Sequence, residues 1–128
     1  MLVDRQLEQS GVWVEYDEAT KFLIGSLNSP RYRKAYREAL DKARMGLRNK
    51  MTDEQSDAIN IAVMASAVLL DWQGVHMDGK EYPATDENKI YVLTNCPQVR
   101  EFVVARATNF ELFKHETLEE AKAELGEG

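Results

Sequence analysis

Few residues in this chain could carry out catalysis or bind a metal. Its two histidines, His76 and His115, belong to no zinc-protease, phosphate-loop or nucleophile-elbow motif. His76 has carboxylates nearby in sequence, but they occupy a turn-rich loop in which charges are usually solvated. These carboxylates are Asp71, Asp78 and Glu81. Cys96, the single cysteine, has no basic residue beside it in sequence. We therefore expect its thiol to be packed and unreactive. We therefore expect no enzyme, no metal site and no cofactor.

The charged residues are distributed unevenly and point to binding. The formal net charge is -6, yet eight of the 16 basic residues lie between positions 31 and 50, whereas six glutamates follow from Glu111 onward. A basic segment and an acidic tail predict contacts between subunits or with a charged partner. The candidate contact residues are Arg31, Arg33, Lys34, Arg37, Arg44, Arg48 and Trp72.

The basic segment has two interpretations. It could be a solvated or protein-contacting helix face, which the low pI of about 5.0 favours. Alternatively, with Tyr32 and Tyr36 interleaved, it could bind phosphates in a small helical nucleic-acid-binding or regulatory protein, with affinity that falls as salt rises. Salt-dependent DNA binding would separate the two.

The elements that must position these residues begin with a β-hairpin at 11–27, after a flexible N-terminus at 1–10. Val12, Val14 and Tyr16 alternate on one side, and Phe22 and Ile24 alternate again after a turn. Ser29 then caps a helix with Pro30 at its first position, so the basic segment is predicted to be helical.

Thr52 and Gln55 form a capping box that starts a helix with apolar residues on nearly all sides from Ala58 to Leu70. Such a helix is typical of the centre of a bundle or of a surface under another chain. Asn60 interrupts it and is expected to fix register or oligomeric state.

Two further helices begin at the Thr85 cap and at Pro97, and a short acidic helix and tail follow at 117–128. Leu70, Phe102 and Phe110 are expected in the core. We expect a mainly α, compact multi-helix domain over 11–116 that includes the hairpin. The lone cysteine and the absence of a signal-like N-terminal segment favour the cytoplasm.

The order of several motifs resembles a bacteriophage tail assembly chaperone of the long-tailed, siphovirus type. The resemblance covers roughly Gly11 to Phe113. It is carried by Gly11-Val12-Trp13-Val14-Glu15-Tyr16, Lys21-Phe22-Leu23-Ile24, Asn28-Ser29-Pro30-Arg31-Tyr32, Val68-Leu69-Leu70-Asp71-Trp72-Gln73-Gly74, Tyr82-Pro83, Asn88, Pro97-Gln98-Val99-Arg100-Glu101-Phe102-Val103 and Asn109-Phe110.

This resemblance implies a non-enzymatic role in the host cell cytoplasm, outside the mature virion and away from membranes. Such chaperones bind and solubilise the tape measure protein and help to recruit tail tube subunits of the same phage. We further expect self-association into a homo-oligomer, because linked sites raise the effective concentration along a long client. The low pI makes nucleic acid an unexpected partner.

Overall fold

The computed structural model describes residues 10–45 and 51–113. A three-stranded antiparallel sheet has the order β1-β2-β3, with β1 at Val12–Glu15, β2 at Lys21–Ile24 and β3 at Leu69–Gln73. A small second sheet pairs β4, His76–Met77, with β5, Lys80–Glu81. The helices are α1 at Pro30–Met45, α2 at Asp53–Ala67, α3 at Asp86–Asn95 and α4 at Pro97–Ala107, and a 3-10 turn follows at Phe110–Phe113.

The prediction of a mainly α fold is wrong. Of the residues that the structure describes, 57% are helical and 18% lie in strands of two antiparallel sheets, so the fold is mixed α/β. The hairpin of β1 and β2 is present, but it is part of a larger sheet, because the segment predicted to continue the apolar helix forms β3 instead.

The boundary between α2 and β3 explains this error. The helix ends at Ala67, and Leu69 already begins the strand, which pairs Phe22 with Trp72 and Leu23 with Asp71. Periodicity cannot separate a buried strand from a helix in a short apolar run. Pairing with β2 decides the outcome, because it satisfies backbone groups that would otherwise remain exposed along the edge of a two-stranded hairpin.

The start of α2 follows the prediction from the capping box. The Thr52 hydroxyl accepts a hydrogen bond from the Gln55 amide at 3.2 Å, and the Gln55 side chain accepts one from the Thr52 amide at 2.9 Å. The helix is not covered on all sides, however, since Ala58 and Ala62 are exposed whereas Ile61, Met64 and neighbouring residues are buried. In the apolar part of the helix, the exposed strip is therefore narrow and lined by small side chains.

Aromatic side chains from the sheet and α4 meet in the core. Phe22 makes edge contacts with Tyr16 and with Trp72, at ring-centroid distances of 5.4 and 6.5 Å. Phe102 packs against Tyr16 at 5.1 Å, as its predicted core role requires. It is only half-buried, and the Arg106 guanidinium covers its outer side 5.0 Å from the ring centroid. Offset and edge-to-face aromatic contacts of this kind stabilise a core beyond the area that they bury.

Lys89 of α3 completes the C-terminal end of α2. Its side chain is buried, and the ammonium donates a hydrogen bond to the Ala65 carbonyl oxygen at 3.0 Å while lying 3.5 Å from the Asp86 carboxylate. The last turn of α2 has no basic residue of its own. Lys89 therefore supplies, from another helix, the positive charge that the negative end of the helix dipole favours.

We expect Lys89→Met to lower the free energy of unfolding by about 1–3 kcal/mol, because the Ala65 carbonyl and the Asp86 carboxylate lose their partner. Chemical denaturation measures the effect, and Lys80→Met on exposed β5 is the control, with a change within about 0.5 kcal/mol. Equal or greater stability in Lys89→Met would show that the cost of burying the ammonium outweighs its hydrogen bond.

Candidate partner-binding surface

The loop before α1 fixes where that helix begins. Ser29 is buried, and its hydroxyl accepts a hydrogen bond from the Tyr32 amide at 3.1 Å, as expected of the predicted N-cap. Ser26 is buried as well and accepts from the Asn28 amide at 3.0 Å. These two short polar side chains satisfy backbone donors at the turn, and Pro30 then opens the helix.

α1 packs against α2 but contains no fully buried residue along its 16 positions. Six of its apolar residues lie on one face and are half-buried: Tyr32, Ala35, Tyr36, Ala39, Leu40 and Ala43. Met45, at the end of the helix, is exposed. The rings of Tyr32 and Tyr36 stack with their centroids 6.0 Å apart, and partial burial raises the pKa of the Tyr32 phenol. The helix therefore retains an apolar stripe that this chain covers only in part.

Exposed cations flank that stripe. The Arg31 guanidinium donates to the Ser66 carbonyl at 3.2 Å, and that of Arg33 donates to the Asn28 carbonyl at 2.6 Å. Lys34, Arg37 and Arg44 are exposed, as is Lys42.

In the part of the chain that the structure describes, the ion pairs lie elsewhere. They join Asp86 to Lys89 and Asp57 to Arg100, and the Arg100 hydrogen bond lowers the pKa of the Asp57 carboxyl. Within the same residues, α1 has six cations against Glu38 and Asp41, and none of its cations is in an ion pair.

The structure brings Arg31, Arg33, Lys34, Arg37 and Arg44 together on one helix, but it places Trp72 elsewhere. The Trp72 ring is buried and stacks on Tyr82, and its indole N–H donates to the Tyr82 carbonyl at 2.6 Å. Trp72 is thus a core residue of β3 in this chain.

The remaining residues, which were predicted to make contacts, to fill the core or to fix register, lie in different parts of the structure. Asn60 is half-buried on α2, and Leu70 is half-buried in β3, where it faces Gly11. Arg48 lies outside the described residues, and so does the side chain of Phe110.

Sequence reasoning missed an apolar patch on the outer face of the sheet. Trp13 is 41% exposed and lies opposite half-buried Leu23 in the register of β1 and β2. The alternation of Val12 and Val14 with Trp13 was the available signal, because successive residues of a strand point to opposite faces.

The loop around His76 does not assemble a metal site within residues 10–45 and 51–113, where no group of three potential ligands meets. Its Nδ1 atom lies 3.1 Å from the Gly74 carbonyl oxygen. None of the described helices is both long and apolar enough to cross a membrane.

Comparison with known proteins gives the origin of the chain. The family of YdaY prophage proteins matches residues 27–124, which include α1 and the other helices. Comparison with curated proteins and with solved structures gave no match. The phage origin implied by the resemblance to tail assembly chaperones is confirmed at this coarser level. The chain belongs to the YdaY prophage protein family.

Proposed function

We propose that this prophage protein is a non-enzymatic tail assembly chaperone. It binds and solubilises the tape measure protein, helps to recruit tail tube subunits, and acts as a homo-oligomer in the host cytoplasm without entering the mature virion. Membership of a prophage family supports a role in phage biology. Among the possible roles of a phage protein, the resemblance of the motif order supports tail assembly.

The observation that carries the proposal is the partly uncovered face of α1. A helix with stacked tyrosines and Leu40 but no fully buried residue provides apolar surface to a second helix. Amphipathic helices bind such surfaces through residues spaced three and four apart, and the basic rim favours clients with acidic side chains. A helix-rich client such as the tape measure protein fits this surface. Self-association would add further copies of it along a long client, which raises the effective concentration of binding sites.

The direct test is co-expression with the tape measure protein of the same prophage. We expect the client to become soluble and to co-purify with this protein. A well-folded protein that neither solubilises nor retains the client would contradict the proposal.

Charge reversal on α1 tests whether this helix is the binding surface. We expect Arg33→Glu, Lys34→Glu and Arg37→Glu together to weaken client binding or self-association by about tenfold or more, because they oppose the charge that attracts the partner. Pull-down and sedimentation measure the two effects, and circular dichroism should show an unchanged fold, since all three side chains are exposed.

The matched control reverses the same amount of charge away from α1. Lys21→Glu, Lys80→Glu and Arg106→Glu replace exposed cations on the sheets and α4. This control should bind normally. Equal losses in both triple variants would show that overall charge matters and that α1 is not the contact surface.

A small nucleic-acid-binding or regulatory protein is the second candidate. The cations of α1 without carboxylate partners in the described residues favour it, because such charges can contact phosphates. A DNA mobility shift that weakens steeply with salt and disappears in the α1 triple variant would support it over the chaperone.

A further inference from the structure

We infer that a cavity beside the β1–β2 turn binds a hydrophobic primary ammonium, with the apolar group of the ligand inside and its ammonium at the mouth. The cavity has a volume of about 300 Å³ and lies between this turn, the β4–β5 hairpin, α3 and the start of α4. None of the described residues that line it belongs to α1. The site is therefore separate from the candidate partner-binding surface, and the inference does not depend on the proposed function.

The inner part of the cavity is apolar. Phe22 of β2, Val92 of α3 and Val99 of α4 line it and are each at most 9% exposed. Half-buried Tyr82 and Cys96 line it as well. Ligand pockets in proteins begin at about 300 Å³, and an apolar cavity of about 150 Å³ already admits benzene. The size and composition of this cavity therefore favour an apolar group about as large as one aromatic ring.

The mouth of the cavity carries a negative charge. The exposed Asp17 carboxylate accepts a hydrogen bond from the Ala19 amide at 2.9 Å. This bond and a second one from the Thr20 hydroxyl lower the pKa of Asp17, so that the carboxylate is ionised at neutral pH. A carboxylate has about four acceptor sites, and it can therefore bind a further donor.

His76 adds a second acceptor at the mouth. Its Nδ1 atom lies 3.1 Å from the Gly74 carbonyl oxygen. Because a carbonyl oxygen only accepts, Nδ1 carries the proton in this contact, and Nε2 of the neutral ring is an acceptor. None of the described residues that line the cavity is a lysine or an arginine. The mouth therefore favours a ligand group that donates hydrogen bonds and is positively charged.

The positions of these two regions determine how the ligand is built. An ammonium in the inner part would lose water without gaining a polar partner, which is costly, whereas at the mouth it meets Asp17 and remains hydrated. A lysine side chain that entered from solvent would place its ammonium in the apolar part first. The fitting ligand instead carries its ammonium behind a short apolar group. Arylalkylamines and peptides that begin with an aromatic residue share this chemistry.

Titration of the full nitrogen-15-labelled chain with phenethylamine tests the site. Phenethyl alcohol, which has the same ring and chain length but no charge, is the matched control ligand. Amide shifts in heteronuclear NMR spectra give both the affinity and the location of binding. We expect phenethylamine to shift the amides of Thr20, Gly74 and Val92. It should bind about fivefold or more tightly than the alcohol, as a charge-assisted hydrogen bond at an exposed mouth allows.

Asp17→Asn removes the charge at the mouth and retains an oxygen that can accept from the Ala19 amide. The affinity for phenethylamine should fall about fivefold or more, and that for the alcohol should change less than about twofold. Asp71→Asn is the matched control, because the Asp71 carboxylate is also exposed and also accepts an amide hydrogen bond, from Trp72 at 2.8 Å. Asp71 does not line the cavity, so this variant should bind both compounds normally.

Cys96→Met tests the apolar part of the site. The longer side chain occupies part of the cavity, so phenethylamine and phenethyl alcohol should lose affinity to the same extent. Circular dichroism should show an unchanged fold. Unchanged binding of both compounds in a folded Cys96→Met variant would show that they bind elsewhere and would overturn the inference.

Two peptides distinguish the sources of the ligand. Binding of phenylalanyl-glycyl-glycine that is lost when its amino group is acetylated would support the inference and identify a peptide N-terminus, whereas binding of phenethylamine alone would support it and identify a free amine. Equal affinities for phenethylamine and its alcohol would overturn the inference, as would equal losses in Asp17→Asn and Asp71→Asn. Binding of acetyl-lysine methylamide as tight as that of phenethylamine would also overturn it, because charge alone would then suffice.

Discussion

Replacing Gly74 with alanine should lower the free energy of unfolding by about 4 kcal/mol or more, a large part of the stability of a domain of this size. Gly74 has a φ of +81°, and a Cβ atom there would lie 1.7 Å from the Ala19 carbonyl oxygen, in the turn between β1 and β2. Backbone atoms cannot yield as a flexible side chain can. The hairpin turn must therefore separate from the end of β3, and the Thr20 hydroxyl would lose its 3.4 Å contact with the Gly74 carbonyl.

Gly79→Ala is the matched control for this effect. Gly79 has nearly the same backbone conformation, with a φ of +78°, but an added Cβ meets no atom within 4 Å. It should lose only the backbone preference, about 1–2 kcal/mol. Chemical denaturation of both variants separates the two contributions. Equal losses would mean that the hairpin turn moves aside without cost.

The second large effect is expected at Trp72. Trp72→Ala should lower the free energy of unfolding by about 3–5 kcal/mol, because it removes the ring between Phe22 and Tyr82 and leaves a cavity. Trp72→Phe retains most of the ring but removes the donor to the Tyr82 carbonyl, at a cost of about 1–3 kcal/mol. Denaturant midpoints measure both effects: Trp72→Ala reports mainly the packing contribution of the ring, and Trp72→Phe reports mainly that of the hydrogen bond.

The other tryptophan provides the comparison. Trp13 is 41% exposed on the outer face of the sheet, so Trp13→Ala should cost less than about 1 kcal/mol in the free energy of unfolding. A loss at Trp13 as large as that at Trp72 would indicate that the outer face is covered in solution. It would then identify this apolar patch as a contact surface.

Part of the binding surface could be read from local sequence. Ser29 and Pro30 specify the start of α1, and the Thr52 and Gln55 pair specifies that of α2, since each cap depends on residues a few positions apart. The helical spacing of Tyr32, Tyr36 and Leu40 likewise identifies the apolar side of α1. How much of that side is covered depends on the packing of α2 against it, which the residues of α1 alone do not indicate.

The assignment of Trp72 illustrates what sequence patterns leave undecided. The apolar residues Val68 to Leu70, at the end of the run from Ala58, are compatible with a buried helix or a buried strand, because both place apolar residues in consecutive positions. Trp72 was expected at a contact surface beyond a helix, yet pairing with Phe22 on β2 places it in the core. The distant partner strand, more than 40 residues earlier, determines the structure of this segment.

The sequence by itself determined the helix starts, the hairpin and the basic face of α1, because caps, turns and periodicity act over a few residues. The tertiary structure alone decided that Leu69–Gln73 is a strand, that Gly74 is required by the approach of Ala19, and that Lys89 completes the end of α2. Each of these depends on an atom contributed by a remote segment. Contacts between segments separated by 20 to 55 residues form only when the chain packs. Two conformations of a segment can have similar local preferences, and they then differ mainly in the apolar surface that they bury and in the backbone groups that they satisfy.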